Sequence, residues 1–350
     1  MDLIDRLRAW SHARQRLTDP APTAEDALQA VVAVYATHPT SPLALAARTR
    51  SLSGDQYRRI DRGRKGMRIP AMRKTLFLVP RQNVARVFTA VRLSPADAIR
   101  AIKRHNLSEA DYKRIASRVL DAAQEPITAK DLGNAVGIKG QPLGTVLRCL
   151  RLEGRMLAIA GDSLMMSGHR YVATSAWLPE GLDGGKRNDA LSWLAEEYLR
   201  AYGPARVVDF AWWAGVTKTS ATRAFEAHRT VDVGDGLFLH ARDESKFDRI
   251  EKLHGTVELL PKWDAYTMGH APDGRRRFVH PDVQQHVYTP IGIGLPGDGN
   301  PVVLVDGEAA GVWTYTHKDG ARVDAFDTFG PSTLRRVEAK LEAVAGFLKQ

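Results

Sequence analysis

A single order of elements, helix, turn, helix and hairpin, is written twice into this chain. In residues 128–174, Thr128 stands three residues before Asp131, a spacing that caps a short helix ending near Gly137. After a turn at Lys139 and Gly140, Leu143, Val146, Leu147 and Leu150 fall at offsets 0, 3, 4 and 7, one apolar helical face that runs out near Gly154. Two strand-like runs, Arg155 to Ala160 and Arg170 to Thr174, then flank a turn-rich connection from Gly161 to Gly168. The order recurs from 189 to 241. Leu191, Leu194, Tyr198 and Leu199 share a helical face stopped by Gly203-Pro204, a Trp-rich helix from Arg206 to Trp213 ends at Gly215, and Lys218 to His228 supplies the next helix. Val231 and Val233 alternate with polar residues before the turn Gly234-Asp235-Gly236, as Leu237 and Leu239 do after it. Helix, turn, helix and hairpin make a winged helix, a unit used on DNA and also as a protein-interaction module.

The last hundred residues read as a β-meander. Strands are predicted at Val302 to Val305, Gly311 to Thr316 and Ala321 to Phe326, separated by the hairpin dipeptides Asp306-Gly307 and Asp319-Gly320, with Glu258 to Leu260 a further candidate. Leu334, Val337, Leu341, Val344 and Leu348 predict a covering helix that starts at Pro331. Near the N-terminus, Ala27 to Tyr35 fits a helix or a short buried element. Pro39 and Pro42 break the chain before Leu43 to Arg50, and Thr75 to Pro80 reads as β.

Charge points to the partner. Residues 48–118 hold 19 Lys and Arg against five Asp and Glu, a local net of +14 where the whole chain sums to +10, so the remainder carries −4. The densest part, Arg58 to Lys74, is mostly arginine, which suits bidentate phosphate contact. A polyanion, nucleic acid first, is the expected partner; a solvated basic face or an acidic protein is the alternative. The single cysteine, Cys149, rules out an intrachain disulfide and any cluster built on several cysteines. No uncharged apolar run approaches the ~18 residues that cross a bilayer, which makes a cytoplasmic protein the expectation. No phosphate-binding glycine loop, HExxH, GxSxG or EF-hand pattern occurs, and the histidines lack ligand spacing. No metal or cofactor is expected.

Three places carry polar chemistry. In Thr37-His38-Pro39-Thr40-Ser41 small polar side chains cluster on a proline-stiffened loop, where a neutral imidazole can accept from water and serve as a base; otherwise Thr40 and Ser41 simply cap the next helix. In Leu259 to Tyr266, Asp264 stands among apolar and aromatic residues that would raise its pKa on burial, or it is a buried turn residue. Asp273-Gly274-Arg275-Arg276-Arg277 reads as a hairpin tip presenting three arginines to phosphates, or as a solvated loop.

At Met72 to Val79, Tyr202-Gly203-Pro204 with Asp209 to Gly215, Leu259 to Tyr266, and Val305-Asp306-Gly307 with Gly311-Val312-Trp313, the chain resembles the winged-helix DNA glycosylase superfamily typified by AlkZ and YcaQ. The resemblance implies an α+β monomer in which tandem winged-helix motifs wrap a C-terminal β-rich, barrel-like domain. It divides the chain into an N-terminal winged-helix-like region with the catalytic loop (1–80), a second winged helix (81–180), a third (181–256), and the β-rich domain with its final helix (257–350). The implied activity is hydrolysis of the N-glycosidic bond of bulky N7- or N3-alkylated purines in double-stranded DNA by a monofunctional glycosylase. Crosslink unhooking and self-protection against DNA-alkylating natural products also occur in the superfamily. Its catalytic loop reads Gln-x-Gln or Gln-x-Asp, and the matching segment here is His38-Pro39-Thr40. On this reading His38 positions or deprotonates water, Thr40 assists, and Asp264 offsets charge on the sugar. The expected DNA contacts are Arg48, Arg50, Arg58, Arg59, Arg62, Arg64, Lys65, Arg68, Arg73, Lys74, Arg275, Arg276 and Arg277. A non-catalytic winged-helix DNA-binding protein or regulator is the competing reading.

Overall fold

The computed structural model describes residues 1–92, 108–291 and 295–350. A six-stranded sheet in the order β1-β3-β2-β5-β6-β4 is built from β1 (Val34–Tyr35), β2 (Gly66–Pro70), β3 (Leu76–Pro80), β4 (Ile127–Thr128), β5 (Met156–Ile159) and β6 (Arg170–Ala173). It takes strands from both sides of the boundary expected at residue 80. The β2–β3 hairpin meets the β5–β6 hairpin through one residue pair, Arg68 opposite Ala158. That seam places Arg68 at the junction of two chain segments.

Within residues 128–174 the elements follow the predicted order. Thr128 accepts a hydrogen bond from the Asp131 amide at 3.2 Å and starts the helix Ala129–Val136, which Gly137 ends at φ 68°. The helix Gln141–Leu152 precedes β5 and β6. Val146, Leu147, Leu150 and Cys149 are buried in a small core with Tyr112, Ile115 and Val119 of the helix Glu109–Ala122.

The second occurrence comprises helices Arg187–Tyr202, Val207–Ala214 and Lys218–Glu226, followed by the antiparallel pair β7 (Thr230–Asp232) and β8 (Phe238–His240). Tyr198, Tyr202, Phe210 and Trp213 pack ring to ring inside it. Successive helical residues lie about 100° apart, so Trp213 points into this core while its neighbour Trp212 remains half-buried on another face.

The C-terminal part contains β9 (Val257–Leu260), β10 (Tyr288–Ile291), β11 (Leu295–Gly299), β12 (Val302–Val305), β13 (Glu308–Thr316) and β14 (Gly320–Ala325). Among the described residues its main sheet is open, in the order β14-β13-β12-β9, with β10 and β11 paired separately. The barrel-like closure expected from the resemblance is therefore corrected to an open four-stranded sheet. The physical reason lies in the helix Pro331–Leu348, which packs on the edge strands β9 and β14 and buries Val337, Phe347 and Leu348 there. Covering by a helix hides apolar surface that closure would otherwise hide. No helix of the described residues is long and apolar enough to cross a membrane.

Candidate active site

β1 ends at Tyr35 and the helix Thr40–Ala46 begins five residues further on, leaving residues 36–39 as a short loop. Four contacts fix His38 in that loop. Its amide donates to Ser167 Oγ at 2.9 Å, and its Nδ1 lies 2.7 Å from the carbonyl oxygen of Ser163, both in the connection between β5 and β6. A carbonyl only accepts, so Nδ1 carries the proton and Nε2 is the acceptor nitrogen. Nε2 receives the Tyr57 hydroxyl at 2.9 Å and faces Arg68 Nη2 at 3.2 Å. Burial first, then the charge of Arg68, lowers the His38 pKa to about 4. The imidazole is neutral at physiological pH.

Behind His38 lies a buried polar network. Arg68 binds Asp61 through Nε at 2.8 Å and Nη2 at 2.9 Å, and donates to the Tyr57 hydroxyl at 2.7 Å and to the Ala36 carbonyl. Tyr57 also meets the Ser41 hydroxyl at 2.7 Å. Because Nε2 must accept, Tyr57 donates to His38 and Ser41 donates to Tyr57. Tyr57 and Asp61 stand four apart on the inner face of the helix Gly54–Arg62, whose outer face is arginine-rich. The capping box of Ser53 and Gln56 fixes where that helix starts.

Two cavities flank this loop. One, of about 540 Å³, is lined by Thr37, His38, Thr40, Ser167, Lys262 and Trp263, together with the edge of β13. The other, of about 580 Å³, is lined by Tyr35, Thr37, Arg73, Trp212, Trp263 and Asp298 among others. Thr37 and Trp263 border both. Lys262 is held by Asp298 at 2.7 Å and lies over the Trp263 ring at 4.6 Å.

The expected site residues divide by burial. His38 and Thr40 border the same cavity; Thr40 is buried and opens its helix, with no side-chain capping bond at that end. Asp264 lies elsewhere. Fully buried, it takes Arg48 Nη2 at 2.6 Å and Nη1 at 2.8 Å, accepts from the Tyr266 amide, and lines neither cavity. The sugar-stabilising position expected for it is thus corrected to a sealed structural pair. Arg48 is equally buried, as are Arg68, Arg275 and Arg277, so these four face protein instead of a phosphate backbone. Residues 272–277 form a short 3₁₀ helix and not the expected hairpin tip: Arg275 stacks on Tyr288 at 4.1 Å, and Arg277 donates to the Pro204 carbonyl at 2.8 Å. Only Arg276 of the three is exposed. Desolvated guanidinium groups need carbonyls, carboxylates or rings, and the surrounding strands and helices supply them.

The remaining basic residues are nearer to solvent. Arg50, Arg59, Arg62, Lys65 and Lys74 are exposed, while Arg58, Arg64 and Arg73 are half-buried. Arg58 binds Asp55 at 2.8 Å and the Asp162 carbonyl at 2.7 Å, Arg62 pairs with Asp162, and Arg64 stacks on Trp177 at 4.1 Å. Sequence reasoning included Ser41 in the polar cluster but missed Tyr57, Asp61 and Ser163, and it placed Arg68 on the surface. One signal was available: Asp61 is the sole acid between Arg58 and Lys74, which marks a position where a carboxylate is needed to neutralise a buried arginine.

The solved structure of Streptomyces sahachiroi DNA glycosylase AlkZ superposes with a TM-score of 0.77, at 19% identity, over 98% of this chain and 96% of that one. The chain therefore shares the fold of that structure. A search of curated protein sequences returns no match. The family model described as DNA glycosylase AlkZ-like matches residues 28–347, and the chain belongs to that family.

Proposed function

We propose that this DNA glycosylase hydrolyses the N-glycosidic bond of bulky N7- or N3-alkylated purines in duplex DNA, with His38-Pro39-Thr40 as its active loop and its two helix–helix–hairpin units acting as winged helices on the duplex. It works as a cytoplasmic monomer, and interstrand crosslinks that use the same alkylated positions are further substrates. The observation that carries this reading is a neutral His38, pinned at one wall of a cavity whose lining contains no carboxylate. An N7- or N3-alkylated purine is already cationic and departs without prior protonation. The protein then has to place a water against an oxocarbenium-like sugar, whose charge the DNA phosphates help to balance. His38 is too weakly basic, with a pKa of about 4, to be asked for much proton transfer. With Nδ1 spent on the Ser163 carbonyl and Nε2 on Tyr57 and Arg68, its part is to fix the loop that sets Thr37 and Thr40 against the attacking water, the proton passing to solvent after attack.

Lys262 supports a monofunctional enzyme. A lyase needs an amine free to attack the sugar and form a Schiff base, whereas Lys262 Nζ is held by Asp298 and lies over the Trp263 ring. The test is chromatography of bases released under single-turnover conditions from a duplex with a bulky N7-alkylguanine. Release of the intact adducted base, leaving an unbroken abasic strand, supports the proposal. Tight, salt-sensitive binding without release would favour the non-catalytic DNA-binding reading.

A further inference from the structure

Resting on that reading, we infer that the cavity walled by Tyr35, Arg73, Trp212 and Trp263 is a subsite for a planar, carbonyl-bearing aromatic group carried by the alkyl adduct. Its volume of about 580 Å³ lies in the range of pockets for drug-sized ligands. Three of its walls are aromatic. The Tyr35 and Trp263 ring centroids stand 5.8 Å apart, and the Arg73 guanidinium lies 3.8 Å from the Trp212 centroid while donating to the Tyr35 hydroxyl.

The main chain at Arg73 is held in an unusual way. Arg73 and Lys74 have φ of 52° and 64°, and Trp263 across the cavity has φ of 58°, a left-handed region that costs non-glycine residues energy and tends to mark functional positions. Gly215, at φ 73°, ends the helix Val207–Ala214 directly against Arg73; a Cβ there would meet the Arg73 backbone at 3.0 Å. The guanidinium is thus set by both its turn and its neighbour. Trp263 is fixed too, since its indole N–H donates to Asp298.

Charge decides the chemistry of the occupant. Burial lowers the Arg73 pKa, and no carboxylate among the described residues makes an ion pair with it. A guanidinium 3.8 Å from an indole centroid and shielded by burial favours an electron-rich ring against its apolar surroundings and a carbonyl oxygen at its edge. A phosphate would demand more donors and fewer rings. Because Thr37 and Trp263 border both cavities, a substituent seated here is next to a reacting nucleotide placed at His38.

Two measurements test this: the affinity for coumarin-3-carboxamide, read by fluorescence anisotropy, and single-turnover release of a guanine carrying coumarin on a short N7 tether, relative to release of N7-methylguanine. Wild type is expected to bind the free probe. Arg73→Met and Trp212→Ala are each expected to weaken that binding at least tenfold and to lower the coumarin-to-methyl rate ratio at least tenfold. Tyr35→Phe keeps the ring and removes the anchor of the guanidinium, so it should lose about threefold in both and serves if the Trp212 variant does not fold. Absence of probe binding to wild type, or an unchanged affinity and rate ratio in folded Arg73→Met, would overturn the subsite. So would displacement of the probe by free 7-methylguanine at equal affinity, which would make this a base pocket. If wild type releases neither base yet binds the probe in an Arg73-dependent way, the glycosylase assignment of the His38 loop fails and the subsite stands.

Discussion

Two buried arginine–aspartate pairs in this protein are chemically alike and do different things. Arg68–Asp61 joins two hairpins at the β2–β5 seam and reaches, through Tyr57, the histidine on a cavity wall. Arg48–Asp264 is sealed on every side, tying the helix Thr40–Ala46 to the start of the short helix Ala265–Met268 and also touching Gln15. Each stands near a histidine whose pKa is lowered by burial and then by the arginine: His38 to about 4 beside Arg68, His12 to about 3 beside Arg48. Residue type does not separate a pair that supports a histidine on a cavity wall from one sealed in the interior. Access to a cavity does.

The largest expected effect falls on the sealed pair. Asp264→Ala leaves the Arg48 charge buried without its partner and should cost about 3–5 kcal/mol of stability, read from urea unfolding midpoints. A loss below ~1 kcal/mol would mean that the interior there is wetter than the structure shows. Next comes acid. His12, His38, His169 and His270 all have lowered pKa values, to about 3, 4, 4 and 3, so the unfolded chain binds their protons more readily. The stability they contribute is complete above the unfolded pKa near 6.5 and is lost as pH falls through 4 and then 3, an effect on the order of several kcal/mol in total. Unfolding midpoints between pH 7 and 4 that stay level would contradict these assignments.

Smaller effects sharpen the contrast. Tyr57→Phe removes the donor to His38 Nε2 but keeps the ring, and is expected to slow base release about tenfold, near 1.4 kcal/mol in the barrier, while DNA affinity holds. The same rate as wild type would reduce the Tyr57 network to packing. At the low end, Arg62→Ala breaks an exposed pair with Asp162 and should change stability by less than ~1 kcal/mol; its effect belongs in the salt dependence of DNA binding, as a lower slope. Borohydride is expected to trap no covalent complex on Lys262.

Much of the fold was legible because its signals are local. Thr128 to Gly137, the face of Leu143, Val146, Leu147 and Leu150, the strand Val302–Val305 and the helix starting at Pro331 all depend on neighbours a few residues away. The β2–β5 seam depends on one pairing between distant segments, and nothing in either segment announces it. The open sheet was hidden for a similar reason: a helix can cover the apolar surface that closure would cover.

The site was legible only as a loop. A cluster of small polar residues and the family resemblance pointed to His38, but its partners come from Tyr57, Arg68 and Ser163, 19 to 125 residues away. An arginine written in sequence suggests a phosphate contact, and burial reverses that for Arg48, Arg68, Arg275 and Arg277. Asp264 followed the same logic in the other direction, since its apolar neighbours correctly implied burial and said nothing of Arg48 waiting in the interior.

The most direct test of the active loop is single-turnover release of a bulky N7-alkylguanine from duplex DNA by wild type and His38→Ala at pH 7, with DNA affinity measured alongside. The loop assignment predicts a release rate lower by about 10²-fold at nearly equal affinity; an unchanged rate in the folded variant would place the chemistry elsewhere.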